Sequence, residues 1–187
     1  MRVEFPRLPD GRRAHCVVER SDGVRYRVRE GVAGPKVPHD LVHLVVERET
    51  EEDGGFWGAV AAGAVFATMD HLDGRRPPHA ARLSREVIRA RAGTGRLQRA
   101  ELMADLVERV LGRRIEDVAR VRAAAAEVLA TLPDARVDEE RILAAAAALR
   151  ETAAQWQRLA PGQALVVEWP ERADRRRGAG RPGRRRH

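Results

Sequence analysis

The chain has 187 residues, of which 43% are apolar and only 4% aromatic. This length is usual for one domain, and the composition supplies a core built mainly from Val, Leu and Ala. The single cysteine, Cys16, excludes a disulfide framework and a zinc site built on cysteines, and it is typical of a reducing compartment. Because the N-terminus also lacks the apolar segment of a secretory signal, we expect a cytoplasmic protein.

The net charge of +7 is concentrated at the C-terminus. Residues 171–187 carry eight arginines against Glu171 and Asp174, a net +6, which leaves +1 for residues 1–170. We predict one α+β domain over residues 1–170 and a disordered, Arg-rich tail over residues 171–187. The nearly neutral domain does not predict a nucleic-acid-binding face, whereas the tail predicts salt-sensitive attraction to nucleic acid, with a solvated end as the alternative.

Alternating apolar and polar residues near the N-terminus predict strands. A short strand is expected around residues 3–5, and residues 14–20 and 24–29 flank a hairpin turn at Gly23. Residues 163–169 alternate in the same way, which predicts a strand that returns to the N-terminal sheet. The sequence therefore predicts a small antiparallel sheet, made of an N-terminal three-strand meander and a C-terminal strand.

Helical spacing of apolar residues dominates the rest of the chain. Pro38 suits the first turn of a helix that runs to about Glu51. The longest apolar run, residues 56–69, has about 14 residues where a bilayer needs roughly 20, so it predicts a buried helix and no membrane partner. Four further helices are predicted near residues 79–92, 95–111, 114–131 and 138–159, which gives about six helices packed with the sheet.

The segment PHDLVHLVVERE is the one place where the sequence suggests chemistry. At about 100° of rotation per residue, His43, Glu47 and Asp40 lie roughly 40°, 80° and 100° from His39, and apolar residues fill most of the remaining circumference. Two imidazoles and two carboxylates thus form one narrow polar stripe. The stripe contains no arginine, which favours a site for a positively charged metal ion.

His39 and His43, at positions i and i+4, can direct their imidazoles at one ion, as in the HExxH metal helix. Asp40 stands where that motif has its general base, and its shorter side chain would lie about 1.5 Å further from a metal-bound water. This difference argues against a protease-like mechanism but not against metal ligation. We predict His39 and His43 as ligands of a divalent Zn, Fe or Mn ion, with Asp40 as an acid–base group.

Glu47 lies about 12 Å along the helix axis from His39, so one ion could not bind both without strain. We predict that Glu47 serves in acid–base chemistry or orients His43 through the free ring nitrogen of the imidazole. The third ligand would then come from another element. Its candidates follow the apolar run in sequence: Asp70, His71, Asp73 and His79.

The hairpin turn, the HDLVHLVVE helix and the GFWG turn at residues 55–58 together resemble a group of small uncharacterised bacterial proteins. That group shares an HDLxHxxVE helix followed by a GFxG turn, and the resemblance covers residues 15–66. It implies no activity. Its usual acidic residue near the second helix is replaced here by Ala-Gly-Ala at residues 62–64. The resemblance implies that the signature consists of His39, Asp40, His43 and Glu47.

The sequence leaves three functional hypotheses open. The stripe favours a metal-binding protein and, within that class, a metal-dependent hydrolase. The alternative is a non-catalytic interaction module whose helical half binds a protein and whose tail, residues 171–187, attracts nucleic acid. In the third hypothesis the stripe is structural, either as the wet face of a helix or as a buried, hydrogen-bonded histidine pair.

Overall fold

The computed structural model describes residues 1–132 and 136–170, and these residues form the predicted α+β fold. The predicted tail, residues 171–187, lies outside the described residues. The elements in chain order are β1 (Arg2–Pro6), β2 (Arg13–Glu19), β3 (Arg25–Val32), α1 (His39–Glu49), α2 (Phe56–Ala61), β4 (Met69–Asp73), α3 (Ala80–Ala92), α4 (Arg96–Gly112), α5 (Val118–Val128), α6 (Glu139–Arg158) and β5 (Ala164–Glu168).

The five strands form one antiparallel sheet in the order β4-β3-β2-β1-β5. The hairpin between β2 and β3 turns where predicted, because Gly23 has a φ of 76° and the Asp22 carboxylate accepts a hydrogen bond from the Val24 N–H at 3.1 Å. β5 pairs with β1 along its whole length, from Ala164 beside Pro6 to Glu168 beside Arg2. The C-terminal strand therefore returns to the N-terminal sheet, as predicted.

The prediction of one helix over residues 56–69 was wrong. α2 ends at Ala61, and Gly63 then takes a φ of 104°, a left-handed conformation that glycine adopts readily. The remainder of the apolar run crosses to the sheet, where Met69 begins β4. α2 is therefore a single short helix that packs against the much longer α1.

β4 is an edge strand that the sequence did not predict. It pairs with β3, and all of its residues after Met69 are exposed. Its carboxylates form ion pairs with β3, Arg25 with Asp73 at 2.9 Å and Arg29 with Asp70 at 3.3 Å. Because a strand exposed on both faces has no apolar alternation, the sequence pattern contained no signal for it.

The core lies between one face of the sheet and the helices, and α1 is its central helix. Every residue of α1 from Leu41 to Glu47 is buried, and α1 packs against α2, α4 and α6. Full burial of each leucine in this helix contributes about 2 kcal/mol to stability. The strands supply alternating buried side chains, namely Val3, Phe5, Cys16, Val18, Tyr26, Val28 and Val167.

Within the described part of the chain, no helix is both long and apolar enough to cross a bilayer.

Candidate metal centre

The polar stripe of α1 runs from the protein surface into the core. The side chain of His39 is 74% exposed, that of Asp40 is 25% exposed and that of His43 is 7% exposed, whereas Glu47 is buried completely. The stripe is therefore not the solvated face of an amphipathic helix. The three largely buried side chains, those of Asp40, His43 and Glu47, need partners inside the protein, and these partners indicate the role of each residue.

The start of α1 is fixed by contacts to both neighbouring helices. On one side, the α6 side chains of Trp156 and Gln157 donate hydrogen bonds to the carbonyls of Lys36 and Pro35, at 3.0 and 2.7 Å. On the other side, the indole N–H of Trp57 donates to a carbonyl of the first turn of α1 at 2.8 Å. These hydrogen bonds hold the histidines of the first two turns in position.

The two imidazoles of α1 converge. The Nε2 atoms of His39 and His43 lie 3.1 Å apart, with ring centroids separated by 4.4 Å. With metal–nitrogen bonds of about 2.1 Å, this 3.1 Å separation corresponds to a nitrogen–metal–nitrogen angle of about 95°. That angle suits six-coordinate iron or manganese and is within reach of zinc after a small rotation of either ring.

Glu101 of α4 supplies a carboxylate at the same point. Its Oε2 atom lies 3.4 Å from Nε2 of His43, and the three candidate ligand atoms of His39, His43 and Glu101 lie within 4.8 Å of one another. Burial lowers the pKa of His43, while the Glu101 carboxylate opposes this shift. A neutral imidazole is the form that binds a metal ion, so burial favours the ligating form.

The candidates predicted for a third ligand lie in other contacts. Asp70 and Asp73 are paired with arginines of β3, and His71 contacts the carbonyl oxygen of Gly74 at 2.9 Å. His79 precedes α3 with a φ of 61°. The carboxylate that the structure brings to the two histidines is that of Glu101 in α4, and none of the predicted candidates lies there.

Asp40 borders both His39 and a cavity that opens to the surface. Its Oδ1 atom lies 3.5 Å from Nδ1 of His39, so the two ring nitrogens of His39 face a carboxylate and a second imidazole. Burial raises the pKa of Asp40, and the two histidines oppose the shift. This arrangement suits a residue that orients a metal-binding imidazole, the role that the sequence had assigned to Glu47 toward His43.

The cavity beside Asp40 has a volume of about 760 Å³. It lies between the ends of β1–β3, the start of α1 and the C-terminal part of α6. The wall of the cavity consists mainly of apolar side chains together with a smaller number of polar ones. The lining includes Phe5, Phe56, Trp156, His15, Glu30, Lys36, His39 and Asp40.

Glu47 anchors the GFWG turn to α1. Its two carboxylate oxygens accept hydrogen bonds from the backbone N–H groups of Trp57 at 3.3 Å and Gly58 at 3.0 Å. A Cβ atom on Gly55 would lie 2.4 Å from the Glu47 Cδ, so glycine is required for this approach. The VE and GFWG segments of the sequence are therefore one structural unit, and the carboxylate of Glu47 lies at the start of α2.

Burial raises the pKa of Glu47 to about 8, although the two backbone N–H groups pull in the opposite direction. The native state then holds a proton that an unfolded chain, with the ordinary pKa of 4.5, releases. We expect the free energy of unfolding to fall between about pH 4.5 and pH 8, by at most about 1.4 kcal/mol per pH unit from this group. The measurement is denaturant unfolding of wild type and Glu47→Gln at one-unit intervals of pH.

The difference between the two profiles isolates Glu47, because both proteins retain every other titrating group. Wild type should lose stability more steeply than Glu47→Gln across this range. Parallel profiles would show that Glu47 titrates at its ordinary pKa.

Comparisons with protein-family models, with curated proteins and with solved structures find no match to this chain. The resemblance to the HDLxHxxVE group therefore stays a prediction, and function has to be argued from the site.

Three residues of the site region were missed in the sequence. Glu101 is one acidic residue among many in the Arg-rich helical half, and Glu30 lies near the end of a strand with an ordinary sequence pattern. Cys16 was considered for disulfides and for zinc sites built on cysteines, and it is a free thiol buried in the core. These three residues could have been identified only by knowing which strands and helices contact each other. A single sequence does not contain that information.

Proposed function

We propose that the chain binds a divalent transition-metal ion through His39, His43 and Glu101. The observation that supports this most directly is the approach of two imidazole Nε2 atoms to 3.1 Å, with a carboxylate oxygen 3.4 Å from one of them. Two histidines and one carboxylate are a common ligand set for zinc and for non-haem iron. Side-chain rotation of exposed His39 and Glu101 is sufficient to close the set around an ion.

We further propose metal-dependent hydrolysis of a small organic substrate as the activity. A bound divalent ion would supply Lewis acidity for the attack of water. His39 and Asp40 line the 760 Å³ cavity, which is large enough for a small molecule and has the apolar walls that commonly bind an organic group. Asp40, through its Oδ1, holds the His39 ring in the orientation that directs Nε2 toward the ion.

The test is metal content after loading with zinc and exhaustive dialysis. His39→Ala/His43→Ala should retain one equivalent less than wild type, because both nitrogen ligands are gone. Glu101→Gln should lower zinc affinity by at least about tenfold, as loss of a ligating or supporting carboxylate does in other metal sites. Turnover of chromogenic ester and phosphoester probes should depend on zinc and be lost in the double histidine variant.

The matched controls are Glu108→Gln, on the exposed side of α4, and His79→Asn, which tolerates the left-handed backbone at that position. Both should bind as much zinc as wild type. Equal zinc in wild type and in the double histidine variant would refute the site. The pair would then be explained by one imidazole donating a hydrogen bond to the other.

A further inference from the structure

A second cluster of candidate ligands includes Asp40, which also contacts His39. It combines Cys16 of β2, Glu30 of β3 and Asp40 of α1, and one ligand atom from each lies within 4.8 Å of the other two. Cys16 is a free thiol with no solvent exposure. Three separate elements thus bring a thiol and two carboxyl groups to one point between the core and the cavity.

In the described part of the chain, the charged groups that act most strongly on Cys16 and Glu30 are carboxylates. Burial, followed by the carboxylate of Asp40, raises the pKa of Glu30 to about 7, and the Cys16 thiol donates only a weak hydrogen bond against that shift. Oε1 of Glu30 is shielded from solvent and has no hydrogen-bond partner. Arg29, the neighbouring arginine of β3, is paired instead with Asp70. A buried carboxyl oxygen without a partner is costly, and a bound cation would remove that cost.

The cavity provides a route to this point. Glu30 and Asp40 both line it, whereas Cys16 lies behind them in the core. An ion bound by all three would have its protein ligands on the core side and its remaining coordination positions toward the cavity. Open positions of this kind are what distinguish a reactive metal site from a closed structural one.

We infer that Cys16, Glu30 and Asp40 form a second divalent-cation site, with one thiolate and two carboxylate ligands, that accepts a zinc-like ion from the cavity. The thiol loses its proton to solvent when the ion binds, because the thiolate is the ligating form. The ligand set needs a single cysteine, so it is compatible with the cysteine content of the chain. It does not depend on the histidine site, although Asp40 lies beside both.

Cobalt(II) is the probe, because a thiolate ligand gives cobalt an intense near-ultraviolet charge-transfer absorption that nitrogen and oxygen ligands do not give. Titration of the full chain should produce this band and saturate with two equivalents of cobalt. Cys16→Ser should lose the band and one equivalent. Glu30→Gln, which keeps the thiol, should lower the affinity for the cobalt ion that produces the band by at least about tenfold. The control variant Glu19→Gln, on the exposed face of β2, should leave this affinity unchanged.

The double histidine variant distinguishes the two proposed sites experimentally. His39→Ala/His43→Ala should lose one equivalent of cobalt and keep the sulfur band. A histidine variant that binds as much cobalt as wild type, together with a band that requires Cys16, would refute the proposed histidine site and leave this inference intact. Absence of the sulfur band from wild type at saturating cobalt would overturn the inference, and this result does not depend on whether any variant folds.

Discussion

Glu47→Ala is expected to lower the free energy of unfolding by about 3–5 kcal/mol. The truncation removes a buried side chain and leaves the N–H groups of Trp57 and Gly58 without their acceptor. Each unpaired buried N–H costs about 1–3 kcal/mol, and the space left by the carboxylate adds a cavity cost. For a chain of this size the melting temperature should fall by about 10 °C, which thermal unfolding followed by circular dichroism will measure.

Glu108→Ala is the matched control, since it makes the same chemical change on an exposed helix surface. Its effect should stay within about 0.5 kcal/mol. Below its melting temperature and at saturating zinc, Glu47→Ala should bind as many equivalents as wild type, although with lower affinity, because Glu47 holds the turn that orients the histidines and is not itself a proposed ligand. A stable Glu47→Ala protein that has lost zinc would assign Glu47 to the metal site instead.

The contrast between Glu47 and His43 shows how far a helical pattern can be interpreted. Rotation per residue correctly places His39, Asp40, His43 and Glu47 on one side of α1, because that geometry is local. Whether residues on the same side of a helix belong to one functional site depends on which neighbouring element packs against each of their turns. α4 brings Glu101 to the second turn, and the GFWG turn covers the third. Neither contact is encoded in the spacing of the stripe.

The same distinction explains which parts of the fold the sequence predicted. The hairpin and the returning strand have local signals, namely the glycine at the turn and the alternation of apolar side chains. β4 has no such signal, since its exposed residues are held by ion pairs to Arg25 and Arg29 of β3. Non-local contacts of this kind also assemble the cluster of Cys16, Glu30 and Asp40, so no local sequence pattern indicates it.

The first turns of α1 and the GFWG turn depend on each other. Trp57 donates to the backbone of the first turn of α1, and Glu47 at the other end of α1 accepts from the second and third residues of α2. Arg91 of α3 completes the unit, because its Nη2 donates to the carbonyls of Asp53 and Gly58 at 3.1 and 3.2 Å. The orientation of the histidines therefore depends on a tightly packed turn more than ten residues away in sequence.

Gly58→Ala tests that dependence and is expected to cost about 3 kcal/mol or more. A Cβ atom at this position would lie 2.1 Å from the carbonyl oxygen of Asp53, a backbone atom that cannot rotate away. Relief requires the segment around Asp53 to move, which breaks the hydrogen bonds from Arg91 and shifts the N–H groups that Glu47 binds. Thermal unfolding and zinc affinity, measured on the same samples, should both decrease.

Gly112→Ala provides a control that is expected to raise stability, whereas Gly58→Ala is expected to lower it. Gly112 is the last residue of α4, and a Cβ atom there would meet nothing within 4 Å. Because alanine restricts the unfolded chain and favours the helix, this variant should gain up to about 1 kcal/mol of stability. If Gly58→Ala proved as stable as wild type, the turn would be deformable and could not be what fixes the histidines. If it were destabilised yet bound zinc normally below its melting temperature, the α6 contacts to Lys36 and Pro35 would suffice to orient the first turn of α1.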